Sequence, residues 1–484
     1  MIRTIFAGAS ALALAACAAG PNYVAPKAPV SASGAFTTQL APTVATADPV
    51  QGDWWRLYRD PVLDQLVQDA LAANTDVRVA AARVARARAL LRESGAPRLP
   101  SLDVAGSAQY QRFPSQQRLP GMDSENWVVD AGLNVSYEVD AFGRISRGME
   151  AARGDLDAAT ADADATRVMV VAETVRAYAD ATSATARRDV AQRIVDLLDQ
   201  SLSLTRKRVD AGLAAPLDVA RISALRNQRA GDVPSLEAAR QAALFRLATL
   251  TGRTPSELPA QAGARATMLQ LDQPIPVGDG AALLARRPDV RAAERRLASA
   301  TARIGVATAD LYPRITLGGS IGSTSLGFGD AFTGGPFRWL LGPLLNWSIN
   351  QTAARARIAG AEADSQAALA TFDGTVLGAL QETETALSNY ARALDRRQAL
   401  AQAREDAARA TRITRAQQRE GTIDALGSLD AERTLADAEA ALALADASIA
   451  ERQVDLFRAL GGGWQSSPLA TGAPRPEASA QTPS

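Results

Sequence analysis

The chain carries the same long pattern twice, with the copies about 210 residues apart, a period too large for a solenoid repeat and suited to a duplicated domain-sized unit. In the first copy Asn74-Thr75-Asp76-Val77-Arg78 opens an Ala/Arg-rich helical stretch that ends at Pro97 and Pro100, before an alternating run from Ser101 to Ser107. In the second, Arg287-Pro288-Asp289-Val290-Arg291 opens a similar stretch that ends at Pro313, before a run from Arg314 to Ser320. Tyr137-Glu138-Val139-Asp140 then matches Trp347-Ser348-Ile349-Asn350, and Arg147 matches Arg357. Further on, Val209-Asp210-Ala211-Gly212 with Leu217-Asp218 recurs as Arg419-Glu420-Gly421 with Leu426-Gly427. Whatever fold forms must therefore form twice.

Composition narrows the chemistry. The 52 basic and 52 acidic residues cancel, so no global field draws nucleic acid and no nucleic-acid partner is expected. There is no histidine and only one cysteine, Cys17, which removes His-based triads, thiol nucleophiles elsewhere in the chain and Cys/His zinc sites. Neither a Gly-rich phosphate loop nor a clustered acidic metal motif is evident, so no catalytic residue, cofactor or metal is assigned and a structural or transport role is expected.

The N-terminus reads as a secretory signal, residues 1–16: a short positive start at Arg3, a brief apolar run, and Leu14-Ala15-Ala16-Cys17. That last element has the form of a bacterial lipobox, with Cys17 as the lipidated residue that anchors the mature chain. Residues 17–52, rich in Pro, Ala, Thr and Ser, are expected to form an extended tether, and residues 466–484 a disordered tail. The first repeat is placed at 53–250 and the second at 281–465, joined by a Pro-rich linker at 251–280 with prolines at 255, 259, 274 and 276.

Both repeats combine long helices with short strands. Proline is absent between Pro120 and Pro216 and between Pro343 and Pro468, and Ala, Leu, Arg, Glu and Gln dominate these windows. Long helical hairpins are predicted at 144–250 and 351–460; a single helix from Arg144 to Ala211 would extend roughly 100 Å. Small and apolar residues at three-and-four spacing, such as Val190, Ile194, Leu197, Ser201 and Leu204, suit either a coiled-coil wall or a conventional bundle. Strands are predicted near 101–113, 127–140, 314–323 and 339–350. From Trp127 to Val139 every odd position is apolar, the period-two pattern of a tilted membrane strand or of a half-exposed soluble sheet. Four strands cannot close a barrel in lipid, so a membrane reading requires a cyclic homo-oligomer.

At the level of motifs the chain resembles the outer membrane factors, the TolC-like and OprM-like channels, in their lipoprotein, NodT-type branch. The resemblance rests on Cys17-Ala18-Ala19-Gly20-Pro21-Asn22-Tyr23, on Asp53-Trp54-Trp55 with Asp60-Pro61-Val62-Leu63, and on Asn74-Thr75-Asp76-Val77. Its most specific part runs from Arg287-Pro288-Asp289-Val290-Arg291 through Ala302-Arg303-Ile304-Gly305 to Tyr312-Pro313. The resemblance implies a mainly α fold with a small β part. In it, long coiled-coil helices and four membrane strands per chain assemble as a homotrimer, a twelve-stranded barrel continuous with a periplasmic helical barrel. It also implies an exit duct for small molecules and drugs in the outer membrane, reaching into the periplasm, with a periplasmic adaptor and a proton-driven RND-type inner-membrane transporter as partners. By the same resemblance Leu426 and Asp430, which follow Gly421, correspond to a periplasmic gate; TolC-like members carry a further acidic residue where this chain has Gly427. Among the tip residues, Arg206, Lys207, Arg208, Arg415 and Arg419 are candidates to meet an adaptor. Two alternatives have the same outline: an outlet for a type I-like protein secretion system, and a lipid-anchored coiled-coil scaffold without a pore.

Overall fold

The computed structural model describes residues 18–26, 32–38, 40–48, 52–118, 120–121, 123–271, 273–329, 337–420, 422–423 and 425–462. Cys17, the signal segment, Gly421 and the tail 466–484 lie outside the described residues. The first half contains strand β1 (Ala45–Thr46), helices α1 (Pro61–Ala73) and α2 (Thr75–Gly95), strands β2 (Ser101–Arg112) and β3 (Glu125–Val139), and helices α3 (Arg144–Asp210), α4 (Pro216–Ala230) and α5 (Asp232–Leu250). The second contains strand β4 (Ile275–Pro276), helices α6 (Gly280–Arg286) and α7 (Pro288–Ala309), strands β5 (Arg314–Leu326) and β6 (Phe337–Asn346), and helices α8 (Thr352–Arg419) and α9 (Ala425–Ala459).

The two halves share their punctuation. Asp140 caps α3, its carboxylate accepting from Ile145 N at 2.9 Å and Ser146 N at 2.9 Å. At the matching position Asn350 Oδ1 accepts from Thr352 N at 3.1 Å and caps α8. That cap ends the β part early: β6 stops at Asn346 although the alternation continues to Ile349, and Trp347 Nε1 instead donates to Leu311 O at 3.1 Å. Helix α3 ends one residue before the expected Ala211, where Gly212 takes a φ of 72° and Leu213 N donates to Arg208 O at 2.7 Å. This is a Schellman closure, which needs a residue tolerant of positive φ. The returning arm differs between halves. It is split at Gly231 into α4 and α5, because Pro234 has no N–H for the Ala230 carbonyl, whereas α9 runs unbroken.

The chain divides into two compact units, residues 1–27, 84–160 and 292–373 in one, and 28–83, 161–291 and 374–484 in the other. The first unit holds a four-stranded antiparallel sheet in the order β2-β3-β5-β6. Its helices approach closely: a Cβ on Gly154 of α3 would lie 3.0 Å from Ser299 of α7, and Asp155 accepts from Ser299 Oγ and from Arg303 Nη2, each at 2.7 Å. Residues 18–23 pack into the same unit. Arg147 Nη2 donates to Asn22 Oδ1 at 2.7 Å, Tyr23 Oη donates to Glu294 Oε1 at 2.6 Å, and a Cβ on Gly20 would fall 2.5 Å from Gly305 Cα. Side-chain hydrogen bonds and close glycine contact hold this stretch.

The second unit contains the largest apolar core. Trp54 stacks on Phe457 with ring centroids 4.5 Å apart, surrounded by Leu63, Val67, Tyr178, Leu247 and Leu387, all fully buried. Burying each such side chain contributes roughly 1.5–3 kcal/mol. Asp60 sits at its edge as the α1 N-cap, accepting from Val62 N, Leu63 N, Tyr178 Oη and Arg265 Nη1. The N-terminal segment joins this unit too, since β1 pairs in parallel with β4 of the linker and Glu384 accepts from the Thr37 and Thr38 amides.

Candidate functional site

In the first unit strands β2, β3 and β5 largely separate apolar from polar side chains, while β6 carries exposed apolar residues on both faces, with Leu340 and Leu344 in register with Ser320 and Thr316. Among the described residues no helix is long and apolar enough to cross a membrane. The strand register stacks Val104, Leu133, Ile321 and Trp339 in one row and Leu102, Val135, Gly319 and Leu341 in another, and most of the large members are exposed. The opposite face carries Ser107, Asp130 and Thr324 in one row and Asp103, Asn134 and Ser320 in another. Tyr110, Trp127 and Phe328 form an aromatic group at one end of the strands, with centroids 5.4–5.6 Å apart, and Phe142 stacks on Tyr312 at the other, 4.5 Å apart. An apolar band between aromatic belts is the pattern of a sheet facing lipid on one side and water on the other. Among the described residues β2 and β6 each have a strand partner on one side only.

In the second unit the α8–α9 turn carries the predicted gate residues. Thr422 N donates to Gln417 O at 3.0 Å, repeating the six-residue closure seen at Leu213 and Arg208. Leu426 and Asp430 lie one helical turn apart near the start of α9 and are both exposed; among the described residues the Asp430 carboxylate meets no partner. The other face of α9 is packed. Ser428 is buried, and Leu429 and Ala436 pack with Ile194, Leu198 and Leu225. Spacings of three and seven put Leu429, Glu432 and Ala436 on the inner stripe, and spacings of four and seven put Leu426, Asp430 and Arg433 on the outer one.

Sequence reasoning missed Glu432. It accepts from Arg415 Nε of α8 at 3.0 Å and from Ser201 Oγ of α3 at 3.0–3.1 Å, so one carboxylate ties three helices together near the turns. A carboxylate between two small or apolar positions of a packing stripe is the local signal that marks it. Arg415, expected to be available to a partner, is thus engaged within the chain, and Arg419 Nε donates to Arg415 O at 3.3 Å. Arg206 and Lys207 remain exposed, and Arg208 is half-buried.

The profile of the outer membrane efflux protein family matches residues 66–253 and 281–462, one match for each half of the duplication. The chain belongs to the outer membrane efflux protein family. A relative from Pseudomonas putida, the antibiotic efflux pump outer membrane protein ArpC, is 32% identical over 98% of both chains. The outer membrane protein OprJ of Pseudomonas aeruginosa is 33% identical over 94% of both. Among solved structures, the outer-membrane channel OprN superposes with a TM-score of 0.86 at 36% identity, covering 93% of this chain and 100% of that one. As a member of this family the chain is an outer membrane efflux channel that extends into the periplasm, in a family of channels rather than enzymes.

Proposed function

We propose that three copies of this chain close a twelve-stranded barrel, four strands from each, and act as the passive exit duct of a tripartite efflux pump. The observation that carries this reading is the sheet with one apolar face and two singly paired edges. Unpaired N–H and C=O groups cannot remain in hydrocarbon, so β6 of one copy pairs with β2 of the next until the ring closes. Cys17, acylated after removal of residues 1–16, adds a lipid anchor to the same membrane. A periplasmic adaptor and a proton-driven inner-membrane transporter of the RND type complete the pump, and the antibiotic pump to which ArpC belongs supports small molecules and drugs as the cargo. Leu426 and Asp430 form the periplasmic gate. Among the described residues the Asp430 carboxylate meets no partner, and three copies around an axis would set three carboxylates against one another in a ring that favours cations.

Single-channel recording of the detergent-extracted, lipidated protein in planar bilayers tests this reading. A small, stable conductance from a heat-resistant trimer is expected. Replacing both Leu426 and Asp430 with alanine is expected to raise it several-fold and to abolish its sensitivity to divalent cations. A monomer without conductance would overturn the duct, and a trimer whose conductance ignores the double substitution would overturn the gate.

A further inference from the structure

On the polar face of the sheet one arginine does not stand up. Strand side chains project roughly perpendicular to their sheet, but Arg338 of β6 lies flat across its neighbours. In register it faces Gly322 of β5, which faces Gly132 of β3, so the two positions it crosses carry no side chain. A Cβ on Gly132 would sit 3.7 Å from Arg338 Nη2, an ordinary van der Waals distance, so a methyl would just fit beneath the guanidinium and a longer side chain would not. At the far side Nη2 donates to Asp130 Oδ1 at 2.8 Å, Nε donates to Thr324 Oγ1 at 2.8 Å, and Thr324 Oγ1 donates to Asp130 Oδ2 at 2.6 Å. The pair therefore joins β6 to β3 over the strand between them.

We propose that Arg338 and Asp130, laid over Gly132 and Gly322, form a recessed and internally neutralised charge pair that keeps the duct wide and without charge preference at this level. The inference rests on the reading of the polar face as the lumen wall. An arginine over ordinary side chains would be lifted off the sheet, and three of them in a trimer would put three cations and their bulk into the lumen. Held flat against Asp130, the same residue adds neither net charge nor obstruction. Gly132 keeps the floor beneath it low, and Gly322 is held to glycine by the neighbouring strand, because a Cβ there would fall 2.4 Å from Ala131 O. Arg338 and Asp130 are thus determinants of what the duct lets pass, apart from any gate at the helical turns.

The test is the potassium-to-chloride permeability ratio, from reversal potentials in a KCl gradient, of the full-length lipidated channel with Leu426→Ala and Asp430→Ala already in place, so that charge at the turns does not mask charge in the barrel. Arg338→Gln, which leaves Asp130 unpaired, is expected to raise the ratio about twofold or more, and Asp130→Asn, which leaves Arg338 unpaired, to lower it by a similar factor. The double variant is expected to return to the parent value. Unchanged ratios in conducting variants, even with lower trimer stability, would reduce the pair to a structural staple and overturn the proposal. Absence of channels from the parent protein would instead overturn the barrel reading, and this proposal with it.

Discussion

The end of the returning helix in each repeat meets the same structural demand with different chemistry. Helix α5 ends at Leu250 and α9 at Ala459, and both close on glycines of positive φ, Gly252 and Gly461. Each end docks against the start of its own repeat, and the last carbonyls of a helix need donors. In the first repeat Asn74 Nδ2 donates to Leu250 O at 3.0 Å, while Asn74 Oδ1 accepts from Asp76 N at 2.8 Å and so caps α2. In the second, the matching boundary is arginine. Arg286 Nη2 donates to Leu460 O at 2.6 Å, and Arg287 Nη1 donates to Ala459 O at 2.7 Å. Arg287 is buried, and Asp289 and Glu382 hold its charge, with Nη2 at 2.7 Å and 2.8 Å. Duplication preserved the geometry and left the donor free to diverge, from a neutral amide to buried guanidiniums with carboxylates in attendance.

That difference makes the second repeat the more vulnerable to loss of its donor. Arg287→Met takes the donor from Ala459 O, leaves Asp289 without its cation and Glu382 with Arg458 alone, and is expected to destabilise the protein by about 3–5 kcal/mol, read as a fall in thermal midpoint by circular dichroism in detergent. Gly252→Ala comes next, at roughly 2–4 kcal/mol, because it combines positive φ with a Cβ 2.8 Å from Ala73 O. Gly461→Ala should cost less, since the nearest atom, Arg287 Cγ, is 3.1 Å away against 2.8 Å for the Ala73 carbonyl at Gly252; equal midpoints for the two glycine variants would break the comparison. Asn74→Ala removes a cap and a carbonyl donor, for about 1–2 kcal/mol.

The smallest effect is confined to acid. Burial pushes the Asp60 carboxyl up, but Tyr178, Arg265 and the Val62 and Leu63 amides outweigh it and hold the group below its usual range. A depressed folded value means stability that is present above the ordinary carboxyl range and is lost as pH falls through it. Asp60→Asn is therefore expected to flatten the fall of the thermal midpoint below about pH 4, where Asp60 would begin to protonate in the unfolded chain. A parallel acid limb in both proteins would remove Asp60 as its source.

Much of this was legible in residue order because it depends on short-range preference. The alternation from Trp127 to Val139 implies a two-faced strand, and β3 spans Glu125–Val139. Gly212 marks the end of α3 within a residue, and four-residue spacing puts Leu426 and Asp430 on one stripe of α9. Two local signals compete at the end of β6: apolar alternation through Trp347 and Ile349 predicts a longer strand, but Asn350 is a good N-cap and the strand stops at Asn346. The Glu432 link was harder to read, because Ser201 lies 231 positions away and nothing nearby names it as the partner.

Residue order alone makes this protein a duplicated unit, alternates long helices with a pair of strands in each half, and sets where most of those elements stop. Such features follow from backbone sterics, hydrophobic period and the special conformations of Gly and Pro, all of which act over a few residues. Three-dimensional packing is what puts β3 beside β5, carries Arg338 across two glycines to Asp130, and sets Asn74 and Arg287 to answer the same demand. Those pairings join residues far apart in the chain, and they are selected by register, close packing and the satisfaction of buried polar groups once the elements have met.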